Sequence, residues 1–523
     1  MVEIDYNKLR DEHSTEKKYS RIAKNTVFLF FRMIFSMGIS LFTSRILLEK
    51  LGVEDYGIYN IVGGFVAMFS IVSGALTGAI SRFITFELGK GDINILSRTF
   101  KSSVVVMIGI SLIIILVGET IGLWFLYNKL VIPEARLTAS FWVFQFAIIT
   151  FILGLLSTPY TACIVSHEKM DAFAYISILE VICKLLICFI LVYAPIDRLV
   201  FFSVLLCIVG VLVRFIYIQY CKKKFEECRG PLVFDKKITQ NMFSYAGWSF
   251  IGSTGWILKS QGGSILLNLF GGPIVNAANA IATSLSGAVT NLVNCFTTSL
   301  NPQITKSYAN KQYSELRNLL IYGPKISYYL LFIVALPVLL NTEFILNLWL
   351  GVVPEHTVNF VRLVLLISLI DIISVPLVIA KNATGKIRNY QIVVGSIQLL
   401  ALPLAYIFLK IGANVEILYV AYIIVSVLCL FARIIMINGD FPNWSFGDFA
   451  IKVCLNIAIV SAIAAILPTI IFLQMQEGWN RLFITSLVSV ISCGCVIYFI
   501  GLDRHERSII ALKVKDIISK FRK

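Results

Sequence analysis

Apolar runs of about twenty residues or more recur along this chain, and they constrain its fold more than any other feature. A helix of that length crosses the roughly 30 Å hydrocarbon core of a bilayer. Two such runs, 242–270 and 275–300, are joined by Gly271-Gly272-Pro273, for which we expect a tight turn. With 58% hydrophobic residues and a mean hydropathy of +0.84, the composition lies outside the range of soluble domains. The sequence therefore predicts an all-α polytopic membrane protein.

We expect about fourteen transmembrane helices, arranged as two pseudo-symmetric six-helix halves followed by two C-terminal helices. The predicted spans are 25–48, 56–80, 104–126, 141–165, 173–193, 199–220, 242–270, 275–300, 321–340, 358–380, 390–409, 417–437, 453–473 and 479–500. The predicted segments are an N-terminal tail (1–24), the halves (25–220 and 242–437), the linker between them (221–241), the two extra helices (453–500) and an amphipathic tail (501–523).

Weak internal similarity supports the two halves. A shift of 219 residues places Gly52 on Gly271 and the triplet 46–48 on 265–267, both Ile-Leu-Leu. A shift of 217 places Pro159 on Pro376, each preceded at the second position by Ser. Two matches with nearly equal offsets indicate a duplicated chain.

The distribution of positive charge predicts the orientation. If both termini are cytoplasmic, the inner segments hold more than eighteen Lys and Arg residues, whereas only six lie in or next to the outer loops. This is the asymmetry that the positive-inside rule requires. The net charge of +15 is thus explained by membrane topology, and we expect no nucleic-acid partner.

Several other kinds of site are not expected. The eleven cysteines form no disulfide framework, the four histidines fall in loops or tails, and no metal or cofactor is predicted. The chain contains no phosphate-binding Gly-rich loop and no hydrolase motif, and its outer loops are too short for a catalytic domain. We therefore expect a protein that is not an enzyme.

Charged residues inside the predicted spans are the candidate functional residues, because each costs about 2.5–3.5 kcal/mol at the bilayer centre. Arg32, Lys184, Lys259 and Arg45 are the candidate cations for an anionic head group. A functional role is favoured for Arg32 and Lys259, because neither has an acidic residue three or four positions away. For Arg45, and for Arg214, we favour side chains that extend to the membrane interface.

Three carboxylates accompany these cations as candidates for coupling or gating, namely Asp371, Glu180 and Glu119. Glu180 can equally form an intrahelical pair with Lys184, and Asp371 either binds a coupling proton or sodium ion or pairs with Lys259. Pro159 and Pro376 are candidate hinges, with a static kink as the alternative for both.

Three segments resemble the bacterial polysaccharide transporters, the flippases of O-antigen and capsule repeat units. They are Arg-Ile-Leu-Leu-Glu-Lys-Leu-Gly-Val-Glu-Asp-Tyr-Gly-Ile-Tyr at 45–59, Asn-Pro-Gln-Ile-Thr-Lys-Ser-Tyr at 301–308 and Gly-Leu-Asp-Arg-His-Glu-Arg at 501–507, within a similarity that runs over about residues 20–515. The resemblance implies a fold shared with MATE multidrug exporters and lipid II flippases.

The resemblance also implies a function, the movement of an undecaprenyl-pyrophosphate-linked oligosaccharide across the cytoplasmic membrane. Membrane lipids and the polymerase and glycosyltransferases of the same pathway would be its partners, and a monomer would suffice. A lipid II flippase fits less well, because spans 56–80 and 275–300 lack the basic residues typical of that family. A MATE-like exporter of cationic drugs and a polytopic polymerase or ligase are the other classes; the first predicts an acidic cavity and the second a large outer loop.

Overall fold

The computed structural model describes residues 35–503 and residue 507, with gaps at 91, 168, 310, 385–386, 439–440 and 442–443. Every regular element in these ranges is a helix, which confirms the predicted all-α fold. Up to residue 309 the helices are α1 (residues 35–51), α2 (Val53–Ala67), α3 (Ser70–Lys90), α4 (Ile93–Asn128), α5 (Leu137–Ser166), α6 (Met170–Ile190), α7 (Arg198–Lys224) and α8 (Lys236–Ala309). The rest are α9 (Tyr313–Leu340), α10 (Thr342–Leu350), α11 (Thr357–Ala383), α12 (Arg388–Lys410), α13 (Ile417–Ile437), α14 (Phe446–Gln474) and α15 (Trp479–Val496).

Eleven helices of the described residues are long and apolar enough to cross a membrane. The predicted spans fall on helices wherever the structure describes them, with short breaks at Met68–Phe69 and Leu400. The chain is thus a multi-pass membrane protein, and the count of fourteen spans stays a prediction. The predicted tail 1–24 lies outside the described residues, and so does the predicted tail 501–523 apart from residues 501–503 and Arg507.

The outward faces of the helices are apolar, as a lipid environment requires. On α15, Phe483, Leu487 and Ile491 follow one another at four-residue spacing, and each is more than half exposed. Residues at this spacing share one face of a helix. The opposite face is buried, with Thr485, Ser489 and Cys493 inside the protein.

The described residues form two compact units, divided between Ala277 and Ala278. The predicted start of the second half at residue 242 stays a prediction, and the first compact unit extends beyond it. The reason is that the first arm of α8, residues 236–271, packs against α2 in the N-terminal unit. A Cβ atom on Gly57 would lie 1.9 Å from the carbonyl oxygen of Pro273, and one on Gly64 would lie 2.9 Å from Oε1 of Gln261. Only glycine permits such a close approach of α2 to α8 at Gly57.

A glycine in an extended left-handed conformation breaks the helix between the first two spans of each half. Gly52 has φ 83° and ψ 168° between α1 and α2, and Gly272 has φ 69° and ψ −168° within α8. This region of backbone space is essentially restricted to glycine. The repeat supports the predicted duplication, but the partner of Gly52 is Gly272 rather than Gly271. The tight turn predicted at Gly271-Gly272-Pro273 is a single-residue break in the helix.

Related pairs of polar side chains also recur in the two units. In the N-terminal unit, Arg136 at the start of α5 binds Asp197 at the start of α7, with Nη1 2.6 Å from Oδ2. In the C-terminal unit, Nδ1 of His356 at the start of α11 lies 2.8 Å from Oε1 of Glu416 at the start of α13. The offsets are 356 − 136 = 220 and 416 − 197 = 219 residues. The same two helix starts are therefore tied together in both halves of the duplicated chain.

Helix capping explains the position of Asp197 in the first of these pairs. The Asp197 carboxylate accepts hydrogen bonds from the backbone N–H groups of Leu199 and Val200, which begin α7. Burial acts to raise the pKa of Asp197, but the hydrogen bonds from Arg136, Val200 and Leu199 leave it below its usual value. The same Arg136 also binds Asp55, with Nε 2.7 Å from Oδ1 and Nη2 2.5 Å from Oδ2. One guanidinium thus joins the starts of α2, α5 and α7.

Candidate functional site

Glu180 and Lys184 lie one turn apart on α6, as their spacing predicts. The Lys184 ammonium donates to Oε1 of Glu180 at 2.7 Å, and both side chains are partly exposed. The structure therefore brings these two candidate residues together as an intrahelical ion pair. An anionic head group at Lys184 would have to compete with the carboxylate of Glu180.

Arg214 on α7 is the membrane cation whose surroundings were not foreseen. Its Nη1 donates to Oγ of Ser157 at 3.4 Å, and its guanidinium carbon lies 5.1 Å from the ring centre of Tyr160. Both partners are on α5, about 9 Å or more from its end at Ser166. The side chain of Arg214 therefore turns towards α5, and its expected extension to the interface stays a prediction.

The partners of Arg214 are neutral. Among the residues that the structure describes, no carboxylate forms an ion pair with its guanidinium. Arg214 lies eight residues before Lys222, or about 12 Å along the helix from the lysine run 222–224. The position of Arg214 inside a predicted span can be read from the sequence. The insertion-cost argument that selected Lys259 would have selected Arg214 as well.

The remaining predicted cations have different settings. Lys259 on α8 is half-buried and takes part in a hydrogen-bonding, ring or electrostatic contact. Arg45 on α1 is exposed and lies one turn from Glu49. Arg32 lies outside the described residues. The predicted grouping of Arg32, Lys184 and Lys259 around one cavity thus stays a prediction.

Asp371 on α11 lies in a polar stripe within the C-terminal unit. Ser368, Asp371 and Ser374 follow at three-residue intervals, which places them near one face of the helix. The hydroxyl of Ser368 shares a 2.8 Å hydrogen bond with Ser286 of α8, and the hydroxyl of Ser374 is buried without a hydrogen-bond partner. In the part of the chain described, no ion pair or hydrogen bond involves the half-buried Asp371 carboxylate. A carboxylate and hydroxyl in this setting can bind a proton or a sodium ion.

Two buried lysines of the C-terminal unit were not predicted as candidates. Lys325 on α9 is only 1% exposed, and its ammonium lies 6.0 Å from the ring centre of Tyr322. Lys381 on α11 is 6% exposed and donates to the carbonyl oxygen of Met436 at 3.5 Å. Both have further contacts. Lys325 lies inside the predicted span 321–340 and Lys381 directly after the span 358–380, which was a signal in the sequence, but burial could be known only from packing.

The other predicted candidates are placed as follows. Glu119 is exposed and accepts a hydrogen bond from Gln145 at 3.1 Å, within a π-helical turn of α4 at Gly118–Gly122. Pro159 is buried inside α5, and Pro376 is buried inside α11. A Cβ atom on Gly323 of α9 would lie 3.3 Å from the ring of Pro376. This tight packing at Pro376 fits the static-kink alternative, and a hinge role for either proline stays a prediction.

A cavity of about 220 Å³ lies between α2, α5 and α7. Its polar lining is limited to Tyr59, Thr150 and Ser203, and the other side chains are apolar. A lining without charge does not suit a pyrophosphate or a sugar chain. We therefore base the candidate site on Arg214 and the polar stripe of α11 instead.

Solved structures of known membrane transporters are similar to this chain. The chain is similar to the solved lipid II flippase MurJ in an inward closed conformation, with a TM-score of 0.68 and 13% identity over 91% of this chain and 98% of that one. It is similar to an inward-facing multidrug resistance MATE family transporter, with a TM-score of 0.65 and 11% identity over 78% of this chain and 95% of that one. A Vibrio cholerae MATE transporter gives a TM-score of 0.54 and 16% identity over 81% and 99%. At these identities the likeness shows a shared fold.

The sequence comparisons give the family. No curated protein sequence matches the chain. Residues 22–308 match the family described as polysaccharide biosynthesis protein, which is 287 of 523 residues and thus more than half of the chain. The chain therefore belongs to the polysaccharide biosynthesis protein family, and it has the MurJ and MATE fold.

Proposed function

We propose that this protein is a flippase that moves an undecaprenyl-pyrophosphate-linked oligosaccharide from the inner to the outer leaflet of the bacterial cytoplasmic membrane. The family membership and the fold of a lipid II flippase support this proposal. Such a substrate carries a charged pyrophosphate and polar sugars, so its unassisted crossing of hydrocarbon is strongly unfavourable. Alternating access by two halves of the chain would move it without any covalent step, so we propose a transporter and not an enzyme.

Arg214 is the observation that carries the proposal. Arg214 lies about 12 Å along α7 from the lysine run 222–224. Its guanidinium contacts a hydroxyl and an aromatic ring, and no carboxylate of the described residues pairs with it. An arginine at such a depth is costly, so it is expected to have a function. A guanidinium also presents several donors in a fork that matches phosphate oxygens. We assign Arg214 to the pyrophosphate, together with Lys259 and Arg32 as further candidate cations.

The energy source in this proposal is a cation gradient that acts through Asp371. Its neighbour Ser374 offers a buried hydroxyl oxygen without a protein partner. A bound proton or sodium ion would neutralise the carboxylate in one conformation and leave it charged in the other. The polymerase and glycosyltransferases of the same pathway are the proposed partners, and a monomer suffices.

A MATE-like exporter of cationic drugs is the second candidate. The Asp371 carboxylate, which has no ion-pair partner among the described residues, favours it, because a carboxylate in a membrane helix can attract a cationic drug. Lys325 and Lys381, both buried in the same unit, argue against a cation as substrate. The lipid II flippase stays a third candidate on the ground of fold.

Complementation of a flippase-null strain tests the leading proposal. We compare Arg214→Gln, which removes the charge, with Arg214→Lys, which keeps it. Lys410→Gln is the matched control, because Lys410 is an exposed cation at the end of α12. Surface glycan is measured by labelling intact cells, and the amount of each variant in the membrane is measured by immunoblot.

We expect Arg214→Gln to lower surface glycan about tenfold or more, because a hydrogen bond to a charged group contributes about 1.5–3 kcal/mol. Arg214→Lys should retain part of the activity, and Lys410→Gln should resemble the wild type. Removal of a desolvated charge should not lower the amount of protein in the membrane. Normal glycan in the Arg214→Gln strain would overturn the assignment of Arg214. Altered sensitivity to cationic dyes without any glycan phenotype would favour the exporter.

A further inference from the structure

The C-terminal ends of α5 and α7 bring together metal-ligating side chains that the proposed transport does not use. Cys163 and His167 lie four residues apart at the end of α5, so they share one face of the helix. Cys221 lies in the last turn of α7, and Glu227 and Cys228 follow in the 3₁₀ turn Glu226–Cys228. Segments about sixty residues apart in the chain therefore meet at this point.

The donor atoms of this cluster are close to one another. Sγ of Cys163 lies 3.8 Å from Sγ of Cys228 and 3.2 Å from Oε1 of Glu227. The same carboxylate oxygen lies 2.6 Å from Nε2 of His167. The ligand atoms of Cys163, His167 and Glu227 all lie within 4.8 Å of one another. Sγ of Cys228 lies beside that of Cys163 but outside this group of three. Cys221 contacts Cys228 from the other side and donates to the carbonyl oxygen of Tyr160 at 3.5 Å.

These distances suit a tetrahedral zinc ion. Two sulfur atoms at about 2.3 Å from zinc, with a tetrahedral angle between them, are about 3.8 Å apart. The observed separation of Cys163 and Cys228 has this value. The hydrogen bond between His167 and Glu227 is shorter than the separation of two ligands on one ion, so binding would move the two groups apart by less than about 1 Å. Sγ of Cys228 would in turn move towards His167 and Glu227.

The surroundings also favour a bound cation. Glu227 is only 4% exposed, and all three cysteines are buried and free of disulfides. A buried carboxylate needs a compensating charge. The ring of His167 stacks on that of Phe225, with centres 4.1 Å apart and planes within 12°. This stacking holds the imidazole towards the sulfur atoms, as ligand-orienting contacts do in metal sites.

We propose that Cys163, His167, Glu227 and Cys228 bind a structural zinc ion, with Cys221 in contact with the Cys228 thiol. Thiolate, imidazole and carboxylate are all ligands that zinc accepts, and four protein ligands are typical of structural sites. The expectation of separate buried thiols and a loop histidine is then replaced by one site. The ion would fix the chain that leaves α7, residues 225–235, against the end of α5.

Metal analysis of the full chain, purified with a tag that contains no histidine, tests this inference. Zinc per chain is measured by mass spectrometry in the wild type, in Cys163→Ser with Cys228→Ser, and in Cys493→Ser. Cys493 is the matched control, because it is a buried cysteine on α15 in the other unit. Cobalt is then added to chelator-treated protein, and the thiolate-to-cobalt charge-transfer absorption is recorded.

We expect about one zinc per chain in the wild type and in the Cys493→Ser control, and almost none in the double variant. The cobalt band should appear in the wild type, which needs no variant and so does not depend on the double variant's folding. Zinc far below one per chain together with no cobalt band would overturn the proposal. The proposal would also be overturned if zinc persisted in a folded double variant. A mass two units lower in the purified wild type, which shows a Cys163–Cys228 disulfide, would overturn it as well.

Discussion

Replacement of Gly57 by alanine is the sharpest test of how α2 packs on α8. The added Cβ would lie 1.9 Å from the carbonyl oxygen of Pro273, whereas ordinary contact begins at 3.4 Å. The two backbones would have to separate by about 3.4 − 1.9 = 1.5 Å. The obstructing atom belongs to the backbone directly after the break at Gly272, so no side-chain rotation can relieve the overlap.

Two opposing terms decide the size of the effect. Overpacking of this kind costs about 1–3 kcal/mol. Alanine in place of glycine inside a helix gains about 0.5–1 kcal/mol. The difference spans about 0–2.5 kcal/mol, and because the overlap is with a backbone atom we expect Gly57→Ala to destabilise the protein by an amount in the upper half of this range. Gly63→Ala on the same helix meets no atom within 4 Å, so it should keep the propensity gain and be neutral or slightly stabilising.

Thermal unfolding in detergent, followed by the loss of the monodisperse peak in size-exclusion chromatography, measures the difference. The two variants should shift the apparent melting temperature in opposite directions relative to the wild type. If Gly57→Ala melts at or above the wild type, the close approach of α2 to Pro273 does not exist in solution. If Gly63→Ala is destabilised to the same extent, the effect reflects helix α2 in general and not this contact.

Three further outcomes are expected. Gly272→Ala should lower the melting temperature by an amount equivalent to about 1–3 kcal/mol, because φ 69° with ψ −168° is essentially a glycine conformation; an unchanged melting temperature would contradict the observed break. Asp371→Asn should lower surface glycan in complemented cells while Asp371→Glu retains part of it, and equal activity of both variants would remove Asp371 from the coupling step. Burial acts to raise the pKa of Glu416, but hydrogen bonds from His356 and other donors hold it below the ordinary value of 4.5. Glu416 therefore stabilises the fold above pH 4.5. This contribution is lost as the pH falls through the lowered pKa. The melting temperatures of wild type and Glu416→Gln should therefore converge in acid, and a constant gap from neutral to acid pH would refute this.

Helices and their lipid environment could be predicted because they depend on local features of the chain. A run of about twenty apolar residues satisfies its own backbone hydrogen bonds as a helix, whatever its neighbours are. The pairing of Glu180 with Lys184 is equally local, since four-residue spacing places both on one helix face. The break near Gly272 was also foreseeable from Gly-Gly-Pro, although which glycine takes the left-handed conformation was not.

Contacts between distant segments required the tertiary structure. The depth of Arg214 is readable from the sequence, but its turn towards Ser157 and Tyr160 depends on how α5 and α7 are rotated against each other. The meeting of Cys163 and His167 with Cys228 depends on the path of the chain after α7, which no periodicity encodes. In lipid, apolar faces are nearly interchangeable, so hydropathy determines which segments cross the membrane, and close packing alone decides which polar side chains meet.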